Sequence, residues 1–260
     1  MTYAPWTAAL TAALVIAVPS YAQRGEQAGN QTDLASQGGQ KGPKITDPKE
    51  AAAYEAFQAA KGDKKISAGT DFITKFPKSI AAQVVADQVV VLAYEKKDLT
   101  AFYSASDKAL AIDPNDAGVL ALTGWVIVRN FKDGQTSPTL QQAEDDDKRA
   151  LDLLATLQKP ATLTDQQFEQ LKATVASEAH SGLGLVYARE QKAEDAAAQL
   201  EQVIQPDATD MFMLGAAYEM MGKHVEASSQ FKKCGAIAGP LQTPCTQNAA
   251  DTSKEGADAK

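Results

Sequence analysis

The sequence predicts an all-α chain built from helical hairpins in series, and three features predict it. In MFMLGAAYEMMGKHVEASSQFKKC, Met211 to Cys234, Leu214 and Tyr218 lie four apart, as do Ala227 and Phe231, so each pair shares one helix face. Gly222 falls between them, where a left-handed residue ends one helix and turns the chain into the next. The same pattern recurs thirty-one residues earlier. Leu183, Gly184, Tyr187, Gln191, Ala196, Leu200 and Val203 lie against Leu214, Gly215, Tyr218, Gly222, Ala227, Phe231 and Cys234, and four of the seven are identical. Gly215 and Ala227 remove side-chain bulk where the helices cross, and Tyr218 and Phe231 fill the volume beside that crossing.

The elements follow in order. Asp47-Pro48 is a cap and first-turn pair for a helix through KEAAAYEAFQAAK, which stops at Gly62-Asp63. A second helix, Lys64 to Lys75, ends before the phrase FITKFPKS is complete. The next hairpin runs from Ile80 to Glu95, turns at Lys96-Lys97-Asp98, and returns from Leu99 to Ile112 before Asp113-Pro114. Gly124 marks a third first helix, Ala117 to Asn130. After FKDGQTSP, the stripe Leu140, Ala143, Ala150, Leu154 and Leu157 predicts a helix to Gln158. Thr164 with Gln167 forms a capping-box pattern, and the helix it opens extends to Glu190. These two long helices predict an extended hairpin in the middle of the chain.

With these residues in place, the sequence resembles the tetratricopeptide repeat family. That family's pattern, within about thirty-four residues, is a large residue followed by Leu-Gly, Tyr, Gly, Ala, Phe, Ala and Pro. The last copy carries six of these positions, with Cys234 where the family has a small residue. FITKFPKS is similar to the hairpin ends of envelope-associated repeat proteins. The resemblance implies a right-handed solenoid of about five helix-turn-helix repeats over residues 46–245. It also implies that the first helices line a concave groove. The groove positions carried onto this chain are Asp87, Val91 and Tyr94; Trp125 and Arg129; Leu185 and Arg189; and Phe212 and Glu219. Trp125, Tyr94 and Phe212 would then be anchors, and Arg129 and Arg189 would meet carboxylates. The alternative for each aromatic is packing between repeats. The Lys/Asn set with which some family members clamp a peptide C-terminus is missing.

Both ends read differently. Residues 1–22 hold an apolar run from Ala8 to Val18, then Pro19 and the small-x-small pattern Ser20-Tyr21-Ala22. This reads as a secretory signal peptide cut after Ala22, although no Lys or Arg precedes the run. A buried helix or an uncleaved anchor are the other readings, and the run is short for a spanning helix. Residues 23–45 and 246–260 are rich in small and polar residues and read as a disordered linker and a disordered tail. No later stretch reads as a membrane span, so the chain is expected to be exported, periplasmic or extracellular. In an oxidising compartment Cys234 and Cys245 would form a disulfide across the turn-rich GPLQTP; a buried thiol at Cys234 with an unrelated tail cysteine is the other reading. Two cysteines without nearby histidines do not make a zinc site.

The formal charge of −8 and the absence of a basic stripe exclude a nucleic-acid surface. Neither histidine, His180 nor His224, can be placed in a nucleophile–base set, and Gly182-Leu183-Gly184 belongs to the repeat pattern. The acidic run Glu144 to Asp147 could attract calcium but reads as a solvated face beside Lys148 and Arg149. No enzyme activity, cofactor or metal is expected. The expected function is a protein-interaction scaffold of the cell envelope that binds a peptide or partner protein. A glycan- or small-molecule-binding accessory module is the rival reading.

Overall fold

The computed structural model of the chain describes residues 45–258 other than 133, 161 and 162. The expected signal peptide and all but the last residue of the expected linker lie outside the described residues. Eleven helices follow one another, with no strand among the described residues. They are α1 Pro48–Ala59, α2 Asp63–Lys75, α3 Ala82–Glu95, α4 Leu99–Ile112, α5 Ala117–Asn130, α6 Leu140–Thr156, α7 Asp165–Arg189, α8 Ala193–Leu200, α9 Ala208–Met220, α10 His224–Gly235 and α11 Gln242–Asp258. None is long and apolar enough to cross a membrane.

Helix starts are written into the sequence as side-chain caps. The Asp47 carboxylate accepts from the backbone N–H of Lys49 and Glu50 at 2.7 and 3.0 Å, with Pro48 at the first helical position. Asp98 caps α4 through Ala101, and Thr139 caps α6 through Gln142. Asp207 and Asp210 form a reciprocal capping box on α9.

The hairpin turns share one geometry. α3–α4, α7–α8 and α9–α10 are each joined by three residues, of which the middle one is left-handed: Lys97 at φ 59°, Gln191 at 61° and Gly222 at 71°. The next residue then donates its N–H to a carbonyl five back, Asp98 to Ala93, Lys192 to Tyr187 and Lys223 to Tyr218, at 2.9–3.1 Å. That bond satisfies a carbonyl the helix end would otherwise leave open. So the sequence alignment of Gln191 with Gly222 holds in the backbone, although only one of the two is a glycine.

The described residues fall into two compact units. In the first, which runs to Leu120 and includes Lys159, Pro160, Leu163 and Thr164, α1 packs on α2, α2 on α3 and α3 on α4. Its core is built on Phe57, Phe72, Val85, Val89 and Phe102, all almost fully buried. The second unit holds Ala121–Gln158 and the residues from Asp165 on. There α6 packs on α7, α7 on α8, α8 on α9, α9 on α10 and α10 on α11. Two of its hairpins meet through a glycine of the first helix and a large side chain of the second. A Cβ on Gly215 would lie 2.8 Å from the Phe231 ring, and one on Gly184 would run into Leu200. With 17 and 25 residues, α6 and α7 form the extended central hairpin that the sequence predicted.

One boundary needs correction. The expected disordered tail from Thr246 is helical as far as Asp258, in α11. Leu241, Cys245, Ala249 and Thr252 recur every three or four residues and are buried as one stripe on α10. The predicted Cys234–Cys245 disulfide joins the two helices, and Ser228 Oγ lies 2.7 Å from Ser253 Oγ and 3.2 Å from the Ala249 carbonyl. Small residues give little hydrophobic signal, so the stripe was hidden by its composition.

The shared turn predicts opposite responses to equivalent substitutions. Gln191→Gly and Lys97→Gly relieve left-handed strain and should each add about 0.5–1 kcal/mol, whereas Gly222→Ala should remove about 1 kcal/mol. Urea unfolding of the three variants checks this; a loss in both glycine variants contradicts it.

Candidate functional site

The nine expected groove residues occupy two units and are described within each. In the first unit all three lie on α3. Val91 is buried, Asp87 accepts a hydrogen bond from Gln83 Nε2 at 2.8 Å, and Tyr94 packs edge-on against Phe102 with ring centroids 6.2 Å apart. The same Gln83 amide donates to Asp116 at 2.9 Å, so Asp87 belongs to a polar tie between α3 and the start of α5.

In the second unit the remaining six lie on α5, α7 and α9. Arg129, near the end of α5, reaches both other helices. Its Nη2 donates to Ser181 Oγ on α7 at 3.0 Å and to Asp210 Oδ1 on α9 at 2.8 Å, while Nη1 pairs with Asp207 Oδ2 at 3.0 Å. Ser181 also donates to Asp210, at 2.7 Å. The Arg129 side chain is 7% exposed and that of Asp210 4%. Burial pushes the Asp210 carboxyl above its ordinary value, and the Arg129 charge pulls against that shift. Above the cluster, the Arg129 guanidinium stacks 4.2 Å from the ring of Trp125, which is half-buried.

This arrangement revises the role expected for Arg129. The guanidinium is held by two carboxylates of its own chain, and its work is to fasten α5 to α7 and α9. Leu185 and Phe212 are core residues, the latter 5.7 Å from Phe231 between ring centroids. Arg189 stacks over Phe131 at 5.7 Å and contacts its carbonyl at 3.4 Å. Glu219 accepts from or faces His224 Nδ1 at 3.1 Å. Trp125, Arg189 and Glu219 all remain half-buried.

The acidic run does not form a single solvated face, and that expectation is corrected. Glu144 pairs with Lys148 at 2.6 Å, a contact that lowers its carboxyl below the ordinary value. Asp145 is exposed, but Asp147 is completely buried. Among the described residues, no three His, Cys, Asp or Glu side chains converge as metal ligands. His180 meets Gln199 at 2.7 Å, and Ser181 bonds Arg129 and Asp210 rather than a histidine. The Gly182-Leu183-Gly184 run is used in packing, Gly182 against Asp147 and Gly184 against Leu200. Sequence reasoning missed Asp207 and Asp210 as partners of Arg129; the Asp207/Asp210 capping pair was their one local signal. A cleft of about 200 Å³ between α8, α9 and α10 is lined by Leu200, Val203, Leu214, Tyr218 and Lys233.

No family model matches the chain, and no curated protein matches it. Among solved structures, the chain is similar to a crystal structure of PilW, described as a widely conserved type IV pilus biogenesis factor. The TM-score is 0.38 at 15% sequence identity, over 78% of this chain and 99% of that one. A likeness this distant carries no inference about what the chain binds.

The Arg129 cluster predicts a large asymmetry between single and paired substitutions. Arg129→Met leaves Asp207 and Asp210 facing each other inside the protein and should destabilise it by about 3–5 kcal/mol. Arg129→Met combined with Asp210→Leu should lose markedly less. A denaturant double-mutant cycle gives the comparison, and additive losses would contradict the buried pairing.

Proposed function

We propose that the chain is an exported, non-catalytic scaffold of the cell envelope, holding a peptide or partner protein against the first helices of its repeats. The observation that carries this reading is the Arg129 clasp on α5, α7 and α9, with Trp125 stacked on it and left half-buried. Three helices tied by one buried guanidinium form a face with little freedom left to lose. A partner therefore meets it without a large ordering cost. Tryptophan is the residue type most often found as an interface anchor, and here its ring is already oriented by the cation beneath it. Arg189 and Phe131 supply a second cation–aromatic pair in the same unit.

Export is supported by the apolar run Ala8 to Val18 with its cleavage pattern and by the Cys234–Cys245 disulfide, since such bonds persist in oxidising compartments. The rival small-molecule reading has less behind it. The α8–α9–α10 cleft, at about 200 Å³, is smaller than the roughly 300–1,000 Å³ typical of sites that enclose a small ligand.

The test is crosslinked capture from envelope extract, identification of the captured protein by mass, and titration of that purified partner with Trp125→Ala and Arg189→Ala. Both variants lose a stacking contact and should melt somewhat lower while remaining folded at the titration temperature, where Trp125→Ala should weaken binding by about tenfold or more, equivalent to ~1.4 kcal/mol. Undiminished binding by both variants would remove this face from the proposal.

A further inference from the structure

The side chain of Asp147 sits in a place that should hold a hydrocarbon. In the two later hairpins a large apolar side chain of the second helix fills the notch left by a glycine of the first, Leu200 at Gly184 and Phe231 at Gly215. Across α5 and α6 the residue at the notch left by Gly124 is Asp147 of α6. Its carboxyl group lies against Gly124 of α5 and Gly182 of α7, so close that a Cβ on either glycine would collide with it. Asp147 is 0% exposed, and among the described residues neither carboxyl oxygen has a hydrogen-bond partner.

The charges that reach it are both negative. Asp146 comes from its own helix and Glu178 from α7; α5 meets it with the backbone of Gly124, and α7 also with Gly182. An ionised carboxylate in such a slot loses its hydration, gains no donor and faces two like charges. A neutral acid fits the same volume without those penalties.

We propose that Asp147 is a proton-operated latch: protonated, it seats α6 between α5 and α7, and its ionisation loosens that three-helix junction. Desolvation raises its carboxyl well above the ordinary 3.8, and Asp146 and Glu178 raise it further. The sign follows from linkage. From about pH 4 upward to its folded value, the folded chain holds a proton that the unfolded chain has released, so stability falls as pH rises through that window. Below it both states are protonated and the dependence vanishes. The pairs Arg129–Asp210 and Glu144–Lys148 are present in wild type and variants alike, so their titration cancels in a comparison of the two.

The experiment measures melting temperature from pH 4 to pH 8 for the full chain, Asp147→Asn and Asp147→Ala. The two variants carry no ionisable group in the notch, and either one that folds suffices. Trp125, next to Gly124, supplies a local probe when its emission is read in a Trp6→Phe background. The gap between wild type and variant should widen against wild type by on the order of 5 °C or more between pH 4 and pH 8. Any pH response of Trp125 emission that comes from the Arg129–Asp210 cluster is common to both proteins, so wild type should show an additional shift with pH that the variant lacks. Parallel melting curves would overturn the proposal. Diverging curves with identical Trp125 emission in wild type and variant would overturn the latch as well, since α5 would then not feel the proton.

Discussion

Everything in the second unit depends on how closely paired helices can approach, and that distance is set by the missing side chain of a central glycine. With no Cβ at Gly215, the Phe231 ring can lie against the α9 backbone; with none at Gly184, Leu200 does the same on α7. A glycine in mid-helix costs about 0.5–1 kcal/mol relative to alanine. Burying a phenylalanine or leucine returns about 1.5–3 kcal/mol, so the exchange favours the hairpin. The left-handed turn and its carbonyl bond then fix where the second helix starts, and the register of glycine against large residue follows from that start.

Two polar groups break into this apolar scheme, with different results. Arg129 enters the interior with its hydrogens largely matched: two carboxylates and a hydroxyl, drawn from two other helices, surround its terminal nitrogens. A charge so matched ties three helices together, because removing any partner leaves the others buried without compensation. Asp147 enters a glycine notch where none of the described residues donates to it. It packs as a shape, in the position that leucine and phenylalanine take in the neighbouring hairpins, and it tolerates that position only while neutral. The one group stiffens the face between α5, α7 and α9; the other makes an adjoining junction conditional on solution pH.

The hairpins were legible because their signals are local. A four-residue spacing, a turn residue and a repeated motif all lie within thirty-odd residues, and the motif alone aligns Gln191 with Gly222, whose left-handed φ it shares. The Arg129 cluster was not legible, since its partners are 52 and 81 residues away and nothing local pairs them. Asp147 is a different case. It stands four residues after Ala143, three before Ala150 and seven before Leu154, on the very stripe the periodicity had identified. Reading the charge run as a block, rather than position by position on the helix, hid it. α11 was missed for the converse reason, because Cys245, Ala249 and Thr252 are too small to register as an apolar face.

These contrasts bear on which residues can meet a partner. The residue that looks most suited to capture a carboxylate from sequence is Arg129, and its terminal nitrogens are already bonded within the chain. A scaffold that is to bind without rearranging must first satisfy its own buried groups, and the strongest donors are consumed in doing so. What remains at such a face is the amphipathic remainder: a tryptophan held in place by the cation it covers, and an arginine resting on an aromatic ring. Under the proposed function, binding energy on this face would rest on Trp125 and its surroundings, while Arg129 keeps those surroundings still.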